Sequence, residues 1–216
     1  MINLAKYIDH TFLKKDAQEK EINKVCDEAI KYNFKALCVY PEFLPLVCKR
    51  LKKTKILPIT VIDFPGGDKS PEEKVKEAKK AVLLGAKEID MVIDVLALKD
   101  KNYLKVFEGI KKVVDACKKI PVKVIIETCY LNKTEIVIAS ALAKLAKASF
   151  VKTSTGFGKH GAKPEDVFLI KEIVGEDMQV KASGGIKTYE NAILMINAGA
   201  SRLGTSSSIV LLEKKD

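Results

Sequence analysis

Two hydrophobic periods alternate along this chain, one helical and one extended. Ile22, Val25, Ala29 and Ile30 recur at helical spacing and predict a helix over residues 18–32. Ala36-Leu37-Cys38-Val39-Tyr40 is then an unbroken apolar run halted by Pro41, the pattern of a short buried strand. A helix follows over 43–53, and a β-branched strand over 58–64 closes at Pro65-Gly66-Gly67. Ser70-Pro71-Glu72-Glu73 opens the next helix with a capping hydroxyl, a proline at the first position and early acids, and Gly85 ends it. The alternation continues with strands over 88–95 and 122–127, around Lys152 and Lys181, and over 201–204. Helices fall over 103–118, 132–147, from 163 onward, and over 188–198. Tyr7-Ile8-Asp9-His10-Thr11 supplies a further strand at the start.

Eight strands, each leading to a helix and with no long linker between them, predict a parallel sheet covered on both faces. Closed on itself, that sheet is a (β/α)8 TIM barrel, here a single compact domain over residues 1–216. An open doubly wound sheet is the alternative, but the Gly-rich dinucleotide fingerprint expected after its first strand is missing.

A barrel of this kind carries its chemistry at the C-terminal ends of the strands. Those ends read Asp9, Cys38, Asp63, Asp90, Asp94, Glu127, Lys152, Lys181 and Gly204-Thr205-Ser206. Lys152 and Lys181 stand out, because a lysine within an apolar strand costs free energy unless it is paired or functional. They are one strand–helix–strand unit apart, so they are expected on neighbouring strands. Each ammonium would then depress the other's pKa, and a neutral lysine attacks carbonyls to form an imine. Asp90 reads either as a structural ion-pair partner or, with two lysines converging on it, as a catalytic carboxylate. Asp94 is expected at the strand exit and in solvent, and Glu127 reads either as a carboxylate orienting a lysine or simply as a strand-end carboxylate. Gly184-Gly185-Ile186-Lys187-Thr188 and Gly204-Thr205-Ser206-Ser207-Ser208 follow the last two strands, where backbone N–H groups can approach a phosphate.

Composition narrows the alternatives. Hydrophobic residues make up 47% and charged residues 31%, an ordinary soluble balance, and no apolar run approaches the roughly 20 residues of a membrane span. The N-terminus lacks a signal-peptide layout, and Cys26, Cys38, Cys48, Cys117 and Cys129 have no metal or disulfide spacing, so a cytoplasmic location with reduced thiols is expected. Cys26 and Cys117 fall on helices and read as packing residues. The net charge of +10 comes almost wholly from lysines interleaved with glutamates; Arg50 and Arg202 are the only arginines, which argues against nucleic-acid readout. With only His10 and His160, a histidine zinc site is not expected.

Lys152-Thr153-Ser154-Thr155-Gly156-Phe157, Lys181-Ala182-Ser183-Gly184-Gly185-Ile186 and Glu88-Ile89-Asp90-Met91-Val92-Ile93 resemble motifs of the deoxyribose-phosphate aldolase family. So do Ile8-Asp9-His10-Thr11, Ile125-Ile126-Glu127-Thr128-Cys129 and Arg202-Leu203-Gly204-Thr205-Ser206-Ser207, and the likeness runs in order through the whole chain. The resemblance implies a metal-free class I aldolase without cofactor, acting on a phosphorylated sugar and acetaldehyde, and a homo-oligomer (dimer or tetramer). It implies Lys152 as the Schiff-base lysine, Lys181 as the lysine that lowers its pKa, and Asp90 as proton donor and acceptor. Gly156, Gly184, Gly185, Gly204, Ser206 and Ser207 would hold the phosphorylated substrate, with Asp9, Cys38 and Thr153 in support. The chain departs from many members at Asp63 and Gly66, where they read Gly-Phe-Pro-Leu-Gly, and at Asp94, where they carry asparagine. It ends at Glu213-Lys214-Lys215-Asp216 without the terminal tyrosine some members use.

Overall fold

A computed structural model describes residues 2–212; the expectation about the terminal tyrosine falls on 213–216, outside the described residues. Eight parallel strands close into a barrel in sequence order: β1 (Ile8–Phe12), β2 (Ala36–Val39), β3 (Leu57–Ile62), β4 (Glu88–Val92), β5 (Val122–Ile125), β6 (Phe150–Lys152), β7 (Gln179–Ser183) and β8 (Arg202–Thr205). β1 pairs with both β2 and β8, which completes the closure.

Around the barrel lie α1 (Glu19–Tyr32), α2 (Leu44–Leu51), α3 (Pro71–Leu83), α4 (Val95–Lys99), α5 (Tyr103–Cys117), α6 (Lys133–Leu145), α7 (Pro164–Val174) and α8 (Tyr189–Asn197). β8 leads instead into a single 3-10 turn, Val210–Leu212. The predicted starts are seen as caps. Ser70 and Asn132 each accept from the backbone N–H three residues on, while Glu73 and Glu135 reach back to the capping residue.

The strand predicted over 88–95 is shorter than its apolar pattern, because the chain turns into α4 at Asp94. The Asp94 carboxylate caps that helix, accepting from Ala97 N at 2.8 Å. Residues such as Ile89, Met91, Val124, Val151, Val180 and Leu203 face outward and pack beneath the helices, forming the main core with Ile110, Val113, Ile136 and Ile170. Alternation along the strands therefore turns the intervening residues, Asp90, Lys123, Lys152 and Lys181 among them, into the barrel. Among the described residues no helix is long and apolar enough to cross a membrane.

Candidate active site

Six charged side chains form a closed ring inside the barrel. Asp9 pairs with Lys181 at 2.6 Å, Lys181 with Asp90 at 2.8 Å, and Asp90 with Lys123 at 2.9 Å. Lys123 pairs with Glu88 at 2.6 Å and Glu88 with Arg202 at 2.9 Å, and Arg202 returns to Asp9. The signs alternate, so the ring is neutral, which is the condition under which buried charges are tolerated. Phe150 supports its lower edge, with the Lys123 ammonium and the Arg202 guanidinium each 5.5 Å from its ring centroid.

Lys152 is the seventh charge. It pairs across the sheet with Lys181 in strand register, as the spacing of the two lysines predicts. Its Nζ donates to Asp90 Oδ2 at 2.8 Å, the same oxygen that takes Lys181. Four cations thus face three carboxylates, and Lys152 is the surplus one. Burial pushes its pKa down, and the nearby Lys181 acts the same way against the opposing pull of Asp90. Burial also presses on Lys181, but Asp9 and Asp90 together hold it charged and raise its pKa. Asp90 is buried too, which alone would raise its carboxyl; Lys123, Lys152 and Lys181 outweigh that and hold it well below the carboxylate range. Of these two lysines Lys152 is therefore the more easily deprotonated, and it carries one carboxylate contact where Lys181 has two.

Lys152 also opens into a cavity of about 320 Å³. The walls come from the loops after β6, β7 and β8, and include Gly156, Gly184, Gly185, Gly204, Ser206 and Ser207. Thr11, Leu13, Thr155, Phe157, Ser183, Ile186, Lys187 and Thr205 complete the lining. Gly185 has φ +74°, a left-handed conformation that a side chain would strain. At Gly204 space decides: an added Cβ would lie 3.0 Å from Lys181 Cε and 2.9 Å from Ser183 Cβ. An opening that pairs a low-pKa amine at one end with bare loop backbone at the other fits a carbonyl compound with an anionic tail.

The other expected residues divide into those that frame this centre and those that do not. Asp9 belongs to the ring. Cys38 is buried inside the barrel, where burial raises its thiol pKa to about 11 and keeps it protonated. Thr153 accepts from Ser183 N at 3.1 Å and donates to Ser183 O, tying β6 to β7. Glu127 does not orient a lysine: its carboxylate accepts from the backbone N–H and hydroxyl of Thr155 and so holds the loop after Lys152. Asp63 and Asp94 lie outside the ring. Asp63 pairs with Lys74 of α3 at 3.0 Å, and Asp94 with Lys105 of α5 at 2.8 Å. Asp94 is accordingly buried and paired rather than solvated, because the helix it caps turns its carboxylate outward against α5. The sequence reading missed Lys123 and Glu88. Lys123, flanked by Val122 and Val124 in a strand, carried the same signal as Lys152. Among the described residues, no cluster of His, Cys, Asp and Glu side chains is arranged to hold a metal.

This constellation on this fold defines a barrel lyase of the aldolase class. More particularly, the chain belongs to the DeoC/LacD family of aldolases, whose model matches residues 3–208. It is similar to the deoxyribose-phosphate aldolase of Clostridium novyi (strain NT), with 53% identity over 98% of this chain and 96% of that one. The corresponding enzyme of Thermococcus gammatolerans is 52% identical, over 98% and 96%. Among solved structures, an aldolase designated QR15 superimposes with a TM-score of 0.93 at 42% identity, covering 98% of this chain and 95% of that one. A tetrameric deoxyribose phosphate aldolase from Aeropyrum pernix gives a TM-score of 0.89 at 31% identity, over 97% and 89%.

Proposed function

We propose that this enzyme reversibly cleaves 2-deoxy-D-ribose 5-phosphate to D-glyceraldehyde 3-phosphate and acetaldehyde through an imine on Lys152. One observation carries the assignment of the nucleophile: of the four cations inside the barrel, Lys152 alone lines the cavity and is surplus to the neutral ring. The names of the relatives supply the substrate.

The neutral Lys152 amine adds to C1 of the open-chain aldehyde, and loss of water leaves an iminium. The C2–C3 bond then breaks. The C3 hydroxyl gives up its proton, through water, to Asp90 and becomes the carbonyl of glyceraldehyde 3-phosphate, while the bonding electrons pass into a C1–C2 enamine. Asp90, working through water, carries protons during imine formation and returns one to C2. Hydrolysis of the resulting iminium frees acetaldehyde and the amine. Lys181 stays charged and keeps Lys152 neutral enough to react. The glycine and serine backbone of the loops after β7 and β8 receives the phosphate, with Gly156 in the facing wall. We also infer a homo-oligomer, in keeping with the tetrameric relative from Aeropyrum pernix.

Borohydride reduction in the presence of acetaldehyde, followed by peptide mass mapping, tests the reading. One two-carbon adduct is expected, on Lys152. Labelling of Lys181 with Lys152 untouched would reassign the nucleophile, and no adduct at all would remove the imine mechanism.

A further inference from the structure

His10 lies on the outer side of β1, where the barrel meets α1. Its neighbours along the strand, Asp9 and Thr11, turn inward to the charged ring and the cavity. A polar ring in the layer between sheet and helices requires partners, and His10 has two. Its Nε2 is 3.0 Å from Glu28 Oε2 of α1, and its Nδ1 is 2.8 Å from Ser208 Oγ. The Phe34 ring packs on it at 5.2 Å. Ser208 is 198 residues away in sequence and ends the segment that follows β8. All three groups therefore meet only because β1 and β8 close the barrel, with His10 in register with Thr205.

A serine, a histidine and a glutamate at these distances invite comparison with a hydrolase triad. Burial rules that out, since Ser208 is fully buried and no substrate can reach its oxygen. The hydroxyl instead belongs to a chain of hydrogen bonds running through both loops of the cavity wall. Ser208 Oγ donates to Thr205 O at 3.1 Å. Thr205 Oγ1 accepts from Ser207 N at 2.9 Å and donates to Ile186 O at 2.8 Å. Ile186 follows Gly184 and Gly185, so the chain from Glu28 through His10, Ser208 and Thr205 reaches both anion-facing segments. None of its side chains is a phosphate contact in the proposed reaction.

We propose that His10 is a positioning residue for the phosphate end of the site, setting the 204–208 turn through Ser208 and, through Thr205, the 184–188 turn. A phosphate held by backbone N–H groups depends on where those groups point, and short glycine-rich turns do not fix that direction by themselves. The Glu28 carboxylate anchors Nε2, so the imidazole cannot rotate away from Ser208. The inference rests on the phosphate site proposed above.

Three variants test it: His10→Leu removes both contacts, His10→Asn keeps an amide at the Nδ1 position facing Ser208, and Ser208→Ala removes only the hydroxyl. KM and kcat are measured for 2-deoxyribose 5-phosphate and for 2-deoxyribose, together with borohydride trapping of acetaldehyde on Lys152. His10→Leu and Ser208→Ala are expected to raise KM for the phosphorylated sugar about tenfold, the effect of one lost buried hydrogen bond. For 2-deoxyribose, kcat and KM should move far less, and trapping should persist. His10→Asn should recover most of the lost affinity. Equal losses on both sugars, or an unchanged KM for the phosphorylated one, overturn the inference and leave the function standing. If His10→Leu does not fold, His10→Asn and Ser208→Ala decide the matter by the same criteria. A wild-type enzyme that does not distinguish the two sugars overturns the phosphate site, and the role of His10 with it.

Discussion

Lys152 and Lys181 direct their ammonium groups at one atom, Oδ2 of Asp90, each from 2.8 Å. Their contacts nevertheless differ, because Lys181 also has Asp9 and Lys152 has only the cavity beyond it. Removing Lys181 deletes a like charge and leaves Asp90 more strongly drawn to Lys152. In Lys181→Leu the Lys152 pKa should therefore rise, and activity near neutral pH should fall steeply. Activity should return in part toward the free-lysine pKa of about 10.4. Lys152→Leu should stay inactive throughout. A pH–rate profile of Lys181→Leu that is lower than, but parallel to, the wild type would show that Lys181 does not tune its neighbour.

Lys123 is expected to matter for stability. Lys123→Met would leave Glu88 and Asp90 short of a cation in a site where every ring member is buried. The cost should be roughly 3–5 kcal/mol, as for other broken buried ion pairs. Adding Glu88→Gln restores the charge count and should return part of it, measurable by urea unfolding of both singles and the double. Independent, additive losses would mean that the ring does not act as a unit.

The ring also sets a response to acid. Asp9 and Asp90 both have folded pKa values below 3.8. Depressed carboxyls contribute stability that is complete above the unfolded value of about 3.9 and is lost as pH falls through the folded value. Asp90→Asn cannot titrate at that position. The stability gap between wild type and Asp90→Asn should accordingly be constant near neutrality and shrink below about pH 4. Urea titrations from neutral pH down to about pH 2 measure it; a gap that stays constant would place the Asp90 charge outside the stability balance.

At the far end of the cavity, Ser207→Glu puts a carboxylate where the phosphate is proposed to lie, and Gly185→Val strains a residue at φ +74°. Both should raise KM for 2-deoxyribose 5-phosphate far more than for 2-deoxyribose. Equal effects on the two sugars would make these loops structural.

Much of this centre was legible because a lysine in an apolar strand is a physical anomaly, and Lys152, Lys181 and Asp90 all read that way. Lys123 carried the same anomaly in Val122-Lys123-Val124, but without hydroxyls or glycines after it nothing marked a strand end. Glu88 and Arg202 were hidden differently. Each begins its strand, where a polar residue is unremarkable, and their pairing at 2.9 Å spans the barrel between β4 and β8. Asp63 and Asp94 misled for a third reason. Alternation predicts side-chain direction only while the chain stays extended, and it turns at both residues: Asp63 has φ +45°, and Asp94 caps α4. The short α4 was invisible because Val95, Leu96 and Ala97 prolong the apolar run of β4.

Arg202, Glu88 and Phe150 are each buried, and together they seal the barrel beneath the lysines. A reactant can then arrive and depart only at the other end, where the cavity is walled by the end of β1 and the loops that follow β6, β7 and β8. In the proposed cleavage the two-carbon fragment is tethered at the inner end while the phosphorylated fragment occupies the exit. Release is then sequential: glyceraldehyde 3-phosphate departs first, and its departure admits the water that frees acetaldehyde. Run in reverse, synthesis must load acetaldehyde before the phosphorylated aldehyde, an order that product-inhibition patterns would display.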